Sequence, residues 1–83
     1  MNLKYSVTAL KQLKNLSKND QVSILKNIET IKAKPLCGKK LKGIFKNLRS
    51  FRVWPYRIIY QFIEDENLIF VNAIQHRQSA YKK

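Results

Sequence analysis

Pro35 divides this chain into two halves of different periodicity, and that division constrains the fold more than any other feature. Before it, apolar residues recur at helical spacing. Leu10, Leu13 and Leu16 lie on one side of a first segment, with Lys11, Lys14 and Asn15 between them. Val22, Leu25, Ile28 and Ile31, broadened by Ile24, form the stripe of a second. Thr8 is placed to cap the first helix, and residues 17–20 read as a capping box that opens the second, with Asp20 where Glu is usual. Pro35 ends that helix, because a proline drives the residue before it, Lys34, out of the α region. The short join between the two segments predicts antiparallel helices.

After Pro35 comes a loop, PLCGKKLKG, that holds both glycines of the chain. Strand-forming residues then dominate. Residues 48–53, 56–64 and 68–74 are rich in β-branched and aromatic side chains. They are separated by Trp54-Pro55 and by Asp65-Glu66-Asn67, joins short enough for hairpins, so a three-stranded meander is expected. The run YRIIYQFI is apolar on both faces, as an interior strand should be. Ahead of the helices, Leu3, Tyr5 and Val7 alternate with Asn2, Lys4 and Ser6, which predicts a strand over 2–7. The expected fold is α+β in the order β-α-α-β-β-β. Two antiparallel helices pack on one face of a four-stranded, mainly antiparallel sheet, and the first strand joins the meander edge. With 83 residues the chain accommodates a single domain, 1–83.

Cysteine usage removes two classes at once. Cys37 stands alone, so neither an internal disulfide framework nor a Cys-based zinc site can form. No signal peptide or membrane span is visible, and the expected location is the cytoplasm.

Charge points to a partner. The chain carries 17 Lys and Arg against 5 Asp and Glu, a formal net charge of +12. No acid occurs over residues 30–63, whereas Lys32, Lys34, Lys39, Lys40, Lys42, Lys46, Arg49, Arg52 and Arg57 all fall there. Such an excess creates a field that attracts a polyanion with salt-dependent affinity; nucleic acid is the expected partner, ahead of an acidic protein or a membrane surface. Arg52 and Arg57 flank the Trp54-Pro55 turn, so both guanidinium groups should meet at one end of the hairpin as a phosphate clamp, a task the planar arginine fork suits. After the last strand, His76, Arg77 and Tyr81 would come together if the tail turned back over the sheet. Imidazole, guanidinium and phenol are groups that move protons and stabilise phosphate charge.

The five acids, Asp20, Glu29, Glu64, Asp65 and Glu66, are poorly spaced for metal ligation, and no phosphate loop or nucleophile elbow is present. Phosphodiester chemistry is therefore expected to be metal-free and to need no cofactor. RNA permits this, because its own 2′-OH can attack the adjacent phosphorus.

The string KKLKG followed by LRSFRVWPYRIIYQFIEDENLIFVNAIQHRQSAY resembles the RelE/ParE superfamily of toxins from toxin-antitoxin modules. The likeness runs from the first strand to Tyr81 and rests on an L-x-G before the meander, the R-V-x-x-Y-R-I-I-Y core and the terminal H-R-x-x-x-Y. It implies the same β-α-α-β-β-β fold, a cognate antitoxin protein as partner and, for the RelE branch, ribosome-dependent cleavage of mRNA. Under this resemblance Arg57, Arg77, Tyr81 and His76 are the catalytic candidates. Arg52, Arg49, Lys46, Lys42, Lys40 and Lys39 are the RNA-binding candidates. The turn Trp54-Pro55 and the pair Ser50-Phe51 depart from the family pattern, and Lys46 or Arg49 would compensate for a basic side chain missing there. Two alternatives share the scaffold: a ParE-like inhibitor of DNA gyrase, and a basic nucleic-acid-binding module without activity.

Overall fold

Each helix begins at a serine. The computed structural model describes residues 1–77. In it, Ser17 Oγ accepts a hydrogen bond from Asp20 N at 3.2 Å and opens α2 (Lys18–Ala33), as the capping box predicts. The first cap is Ser6 and not Thr8: Ser6 Oγ accepts from Ala9 N at 2.9 Å and opens α1 (Val7–Lys14). The reason is that β1 (Asn2–Tyr5) ends early and Ser6 N donates to Val71 O at 2.9 Å, which holds Ser6 extended so that helix starts at once behind it. At its other end α2 stops before Lys34, as the restriction on a pre-proline residue requires.

On α2 the buried line is Ile24, Ile28 and Ile31, each exposed by 1% or less. Val22 and Leu25, expected in the same stripe, are 54% and 44% exposed. At about 100° per residue the three isoleucines share a narrow sector, with Leu25 on its flank and Val22 nearly opposite.

The sheet has five strands in the order β1-β5-β4-β3-β2, where β2 is Lys39–Lys40, β3 Arg49–Val53, β4 Tyr56–Ile63 and β5 Leu68–His76. The antiparallel meander of β3, β4 and β5 is as expected, and β1 does join its edge. Two features correct the expected four-stranded, mainly antiparallel sheet. First, β1 runs parallel to β5, from Asn2 opposite Leu68 to Tyr5 opposite Val71, so the sheet is mixed; the two helices supply the long crossover that parallel pairing needs. Second, Lys39–Lys40, read as loop, pairs with Ser50 and Arg49. Two residues have no periodicity to read, and their pairing is imposed by the turn beyond them, where Leu41 N donates to Leu48 O at 3.0 Å. That turn contains a short 3-10 segment, Gly43–Phe45, and Gly43 takes a φ of +69°, a region glycine enters without strain.

The helices cover one face of the sheet. Ile58 and Tyr60 of β4, Ile69, Val71 and Ile74 of β5, and Val53 of β3 join Ala9, Ile24, Ile28 and Ile31 in one buried cluster. The β5 members are spaced by two and then by three because β5 carries a bulge. Ile59 faces Ala73 and Tyr60 faces Val71, which leaves Asn72 as an extra residue. α1 satisfies the backbone that the bulge frees: Ser6 Oγ donates to Asn72 O at 2.6 Å, and Ile74 N donates to Gln12 Oε1 at 2.6 Å.

Tyr60 anchors the loop that leads into β2. Its ring is fully buried, its hydroxyl donates to Pro35 O at 2.8 Å and accepts from Gly38 N at 2.9 Å. Burial, above all, pushes this phenol up to about 12. A Cβ on Gly38 would lie 2.7 Å from the Tyr60 ring, so only glycine lets the backbone approach this closely. No helix among the described residues is long and apolar enough to cross a membrane.

Candidate nucleic-acid interface

Strand alternation assigns each basic side chain to a face. On β4, Tyr56, Ile58, Tyr60 and Phe62 belong to the helix side, which leaves Arg57 and Ile59 on the helix-free side. The register places Arg52 directly opposite Arg57, so the two guanidinium groups expected at the hairpin end are indeed cross-strand neighbours. Like charges in that relation repel, and an anion between them removes the penalty. Lys39, opposite Ser50, extends the positive surface across β2. Lys39, Leu41, Ser50, Arg52 and Arg57 line a depression of about 340 Å³. A second, of about 430 Å³, shares Leu41 and Arg57 with it and continues over Phe45, Leu48, Ile59, Asn72, Ala73 and Gln75. No carboxylate lines either one.

Arg77 belongs to the same end of the sheet. Its backbone N–H donates to Pro55 O at 2.7 Å, and its guanidinium lies 4.7 Å from the Trp54 ring centroid in a cation–π contact. Arg52, Trp54, Arg57 and Arg77 all line one crevice beside the Trp54-Pro55 turn, whose peptide bond is cis.

Other predicted site residues are elsewhere. His76 is opposite Tyr56, and their rings meet edge to face at 5.3 Å and 87°. Tyr56 donates to Asp20 Oδ2 at 2.8 Å, a bond that raises the phenol's pKa ahead of burial. His76 is thus on the helix-bearing side, across the sheet from Arg57. Arg49 also alternates to that side, where its Nη1 donates to Leu36 O at 3.2 Å and Gly38 O at 2.9 Å; it holds a loop. Lys40 and Lys46 line a different depression, together with Arg49 and Glu64. Lys42 is exposed just before the 3-10 segment. Tyr81 lies outside the described residues. Sequence reasoning overlooked Trp54, Asn72 and Gln75 as site residues. The slip of apolar spacing in Ile69, Val71 and Ile74 was the available sign that Asn72 turns to the open face.

Two helices on a five-stranded mixed sheet make the fold of the RelE-like toxins. The chain belongs to the ParE toxin family of type II toxin-antitoxin systems, whose family model matches residues 3–81. It is 30% identical over 86 residues to RelE1 of Methanocaldococcus jannaschii, a protein assigned as a toxin, with 98% of this chain and 94% of that one covered. Among solved structures it resembles the toxin-antitoxin complex RelBE2 of Mycobacterium tuberculosis, with a TM-score of 0.84 at 20% identity, covering 92% of this chain and 90% of that one. It also resembles the isolated RelE toxin of E. coli, with a TM-score of 0.80 at 22% identity over 90% and 82% of the two chains. These likenesses establish the fold, and the family match makes this protein a toxin of a type II toxin-antitoxin system.

Proposed function

We propose that this toxin stops translation by cutting mRNA held on the ribosome, without a metal ion. The observation that carries this reading is the Arg52–Arg57 pair, directly opposed on a face whose depressions contain no carboxylate. Among the described residues no three His, Cys, Asp or Glu side chains group as metal ligands. The attacking group is the RNA's own 2′-OH. Its proton passes to a base as the oxygen bonds to phosphorus, the bond to the 5′-oxygen breaks, and that oxygen takes up a proton. The products are a 2′,3′-cyclic phosphate and a 5′-OH. Arg57, with Arg52 and Lys39, neutralises the charge that builds on the phosphorane, and Arg77 adds a fourth cation at the hairpin end. Tyr81 is the proposed proton-transfer group, since His76 packs on the other side of the sheet.

The proposed partners are mRNA on the ribosome and a cognate antitoxin whose acidic charge complements the +12 of this chain. The M. tuberculosis relative was solved as such a toxin-antitoxin complex. The family match carries the name ParE, which favours gyrase inhibition as the second reading. One experiment separates the two: induce the toxin, map mRNA 5′ ends, and probe for gyrase trapped on DNA. Cleaved mRNA with free gyrase is expected. Intact mRNA with trapped gyrase would refute the nuclease reading.

A further inference from the structure

Trp54 does not serve the core. It is the only tryptophan of the chain, it is 64% exposed at the tip of the β3–β4 hairpin, and it takes no part in the buried cluster. Its ring instead meets Arg77, whose guanidinium carbon stands over the ring face at 4.7 Å from the centroid. Arg77 is a side chain that needs holding. It lines the same crevice as Arg52 and Arg57, and no carboxylate lines that crevice, so two like charges push it toward solvent. Its backbone is tied by the 2.7 Å bond from its N–H to Pro55 O, but that bond leaves the torsions of the long side chain unrestrained. Freezing those torsions only when a ligand arrives would weaken binding. The chemistry of the partner matters as well. A carboxylate would hold the guanidinium firmly, but it would cancel the charge and occupy the N–H groups a phosphate requires. An indole attracts the cation through its π face, so the charge is kept and the N–H groups are not spent on a carboxylate. The crevice is nearly filled, with about 10 Å³ left open, so a phosphate meets the three arginines at its rim.

We infer that Trp54 is a positioning residue: its ring holds Arg77 beside Arg52 and Arg57, against their repulsion, so that a third guanidinium is in place before a backbone phosphate arrives. The inference rests on the RNA-cleaving reading for its ligand. Trp54 acts through Arg77 and does not touch the reacting atoms. It stands in the turn that departs from the family pattern, so the device belongs to this chain.

Two measurements on the full chain test it. The first is NMR of the protein without RNA. An indole shields protons that lie over its face, so the Arg77 Hδ and Hε resonances should lie upfield and return to ordinary values in Trp54→Leu, which keeps an apolar side chain but has no π face. The second is binding of a labelled 2′-O-methyl RNA oligonucleotide, which cannot be cleaved, followed by fluorescence anisotropy. Trp54→Leu should weaken binding ~2–5-fold, the equivalent of one exposed cation–π contact, and Trp54→Phe should recover most of that loss. Arg77→Ala should weaken binding and lower the salt slope by ~0.7, the share of one phosphate contact on a single strand, whereas Trp54→Leu keeps the charge and should keep the slope. Added to Arg77→Ala, Trp54→Leu should have no further effect, because the pair then has nothing left to lose. Arg77 resonances unmoved in Trp54→Leu would overturn the inference. An equal loss with and without Arg77 would overturn it too, since the indole would then be acting on the RNA directly. The expected coupling, found in a protein that leaves unmodified mRNA intact on ribosomes, would support the positioning role and defeat the nuclease reading alone.

Discussion

Tyr60→Phe removes a single oxygen from the centre of the fold. That oxygen accepts from Gly38 N at 2.9 Å and donates to Pro35 O at 2.8 Å, so one substitution takes the partner from two backbone groups. Gly38 is buried, and its N–H, left without an acceptor, should cost roughly 1–3 kcal/mol. The Pro35 carbonyl is only partly buried and can turn to water, which limits its share to about 0.5–1 kcal/mol. Ring packing is retained, so no cavity contribution is added. The sum, about 1.5–4 kcal/mol, corresponds to a fall in Tm of roughly 6–30 °C for a domain of this size. Circular dichroism melts of both proteins measure it directly. The phenol also adds a pH signature. Its pKa stands at about 12 in the folded state against 10.0 unperturbed, so between those values the folded protein keeps a proton that the unfolded chain releases. That contribution is complete below pH 10 and is lost as pH rises toward 12, and the Phe variant should lack it. A Tm within about 3 °C of wild type at neutral pH would refute the argument, because a change so small means under ~1 kcal/mol.

Three further expectations follow from the same structure. Arg57→Ala and Arg52→Ala should each lower mRNA cleavage on programmed ribosomes by ~10²–10³-fold, the cost of losing one charge-stabilising partner, while circular dichroism shows the fold retained. Tyr81→Phe should reduce cleavage ~10²-fold with ribosome binding retained, as measured by co-sedimentation, if its hydroxyl transfers a proton. Gln12→Ala leaves Ile74 N–H without its acceptor at the bulge, and should destabilise by about 1–3 kcal/mol with faster hydrogen exchange at the Ile74 amide.

What could be read in advance follows from how local each signal is. Ser17 and Pro35 act on their own neighbours, so the ends of α2 were legible. The two-residue Trp54-Pro55 join dictates that Val53 meets Tyr56 and hence that Arg52 meets Arg57, so the juxtaposition of the two arginines followed from spacing alone. The two-residue β2 depends on a partner strand and the direction of β1 on a crossover, and neither leaves a local trace. The pairing of His76 with Arg77 was misjudged for a different reason. His76 and Arg77 are adjacent in sequence and read as one group, but His76 continues the alternation of β5 onto the helix side while Arg77 bonds back to Pro55. Asn72 was passed over because one polar residue in an apolar strand resembles an ordinary exposed position until the phase slip around it is counted.

The parallel pairing of β1 with β5 ties the beginning of the chain to its end, and this bears on the order of events during biosynthesis. β1 is made first but has no neighbour in the sheet until Leu68–Val71 emerge some sixty residues later. Ile69, Val71 and Ile74 arrive with the same segment, so the helices cannot close over a finished core before it appears. Contacts this distant along the chain form late. A toxin built this way stays unfinished until β5 has been made.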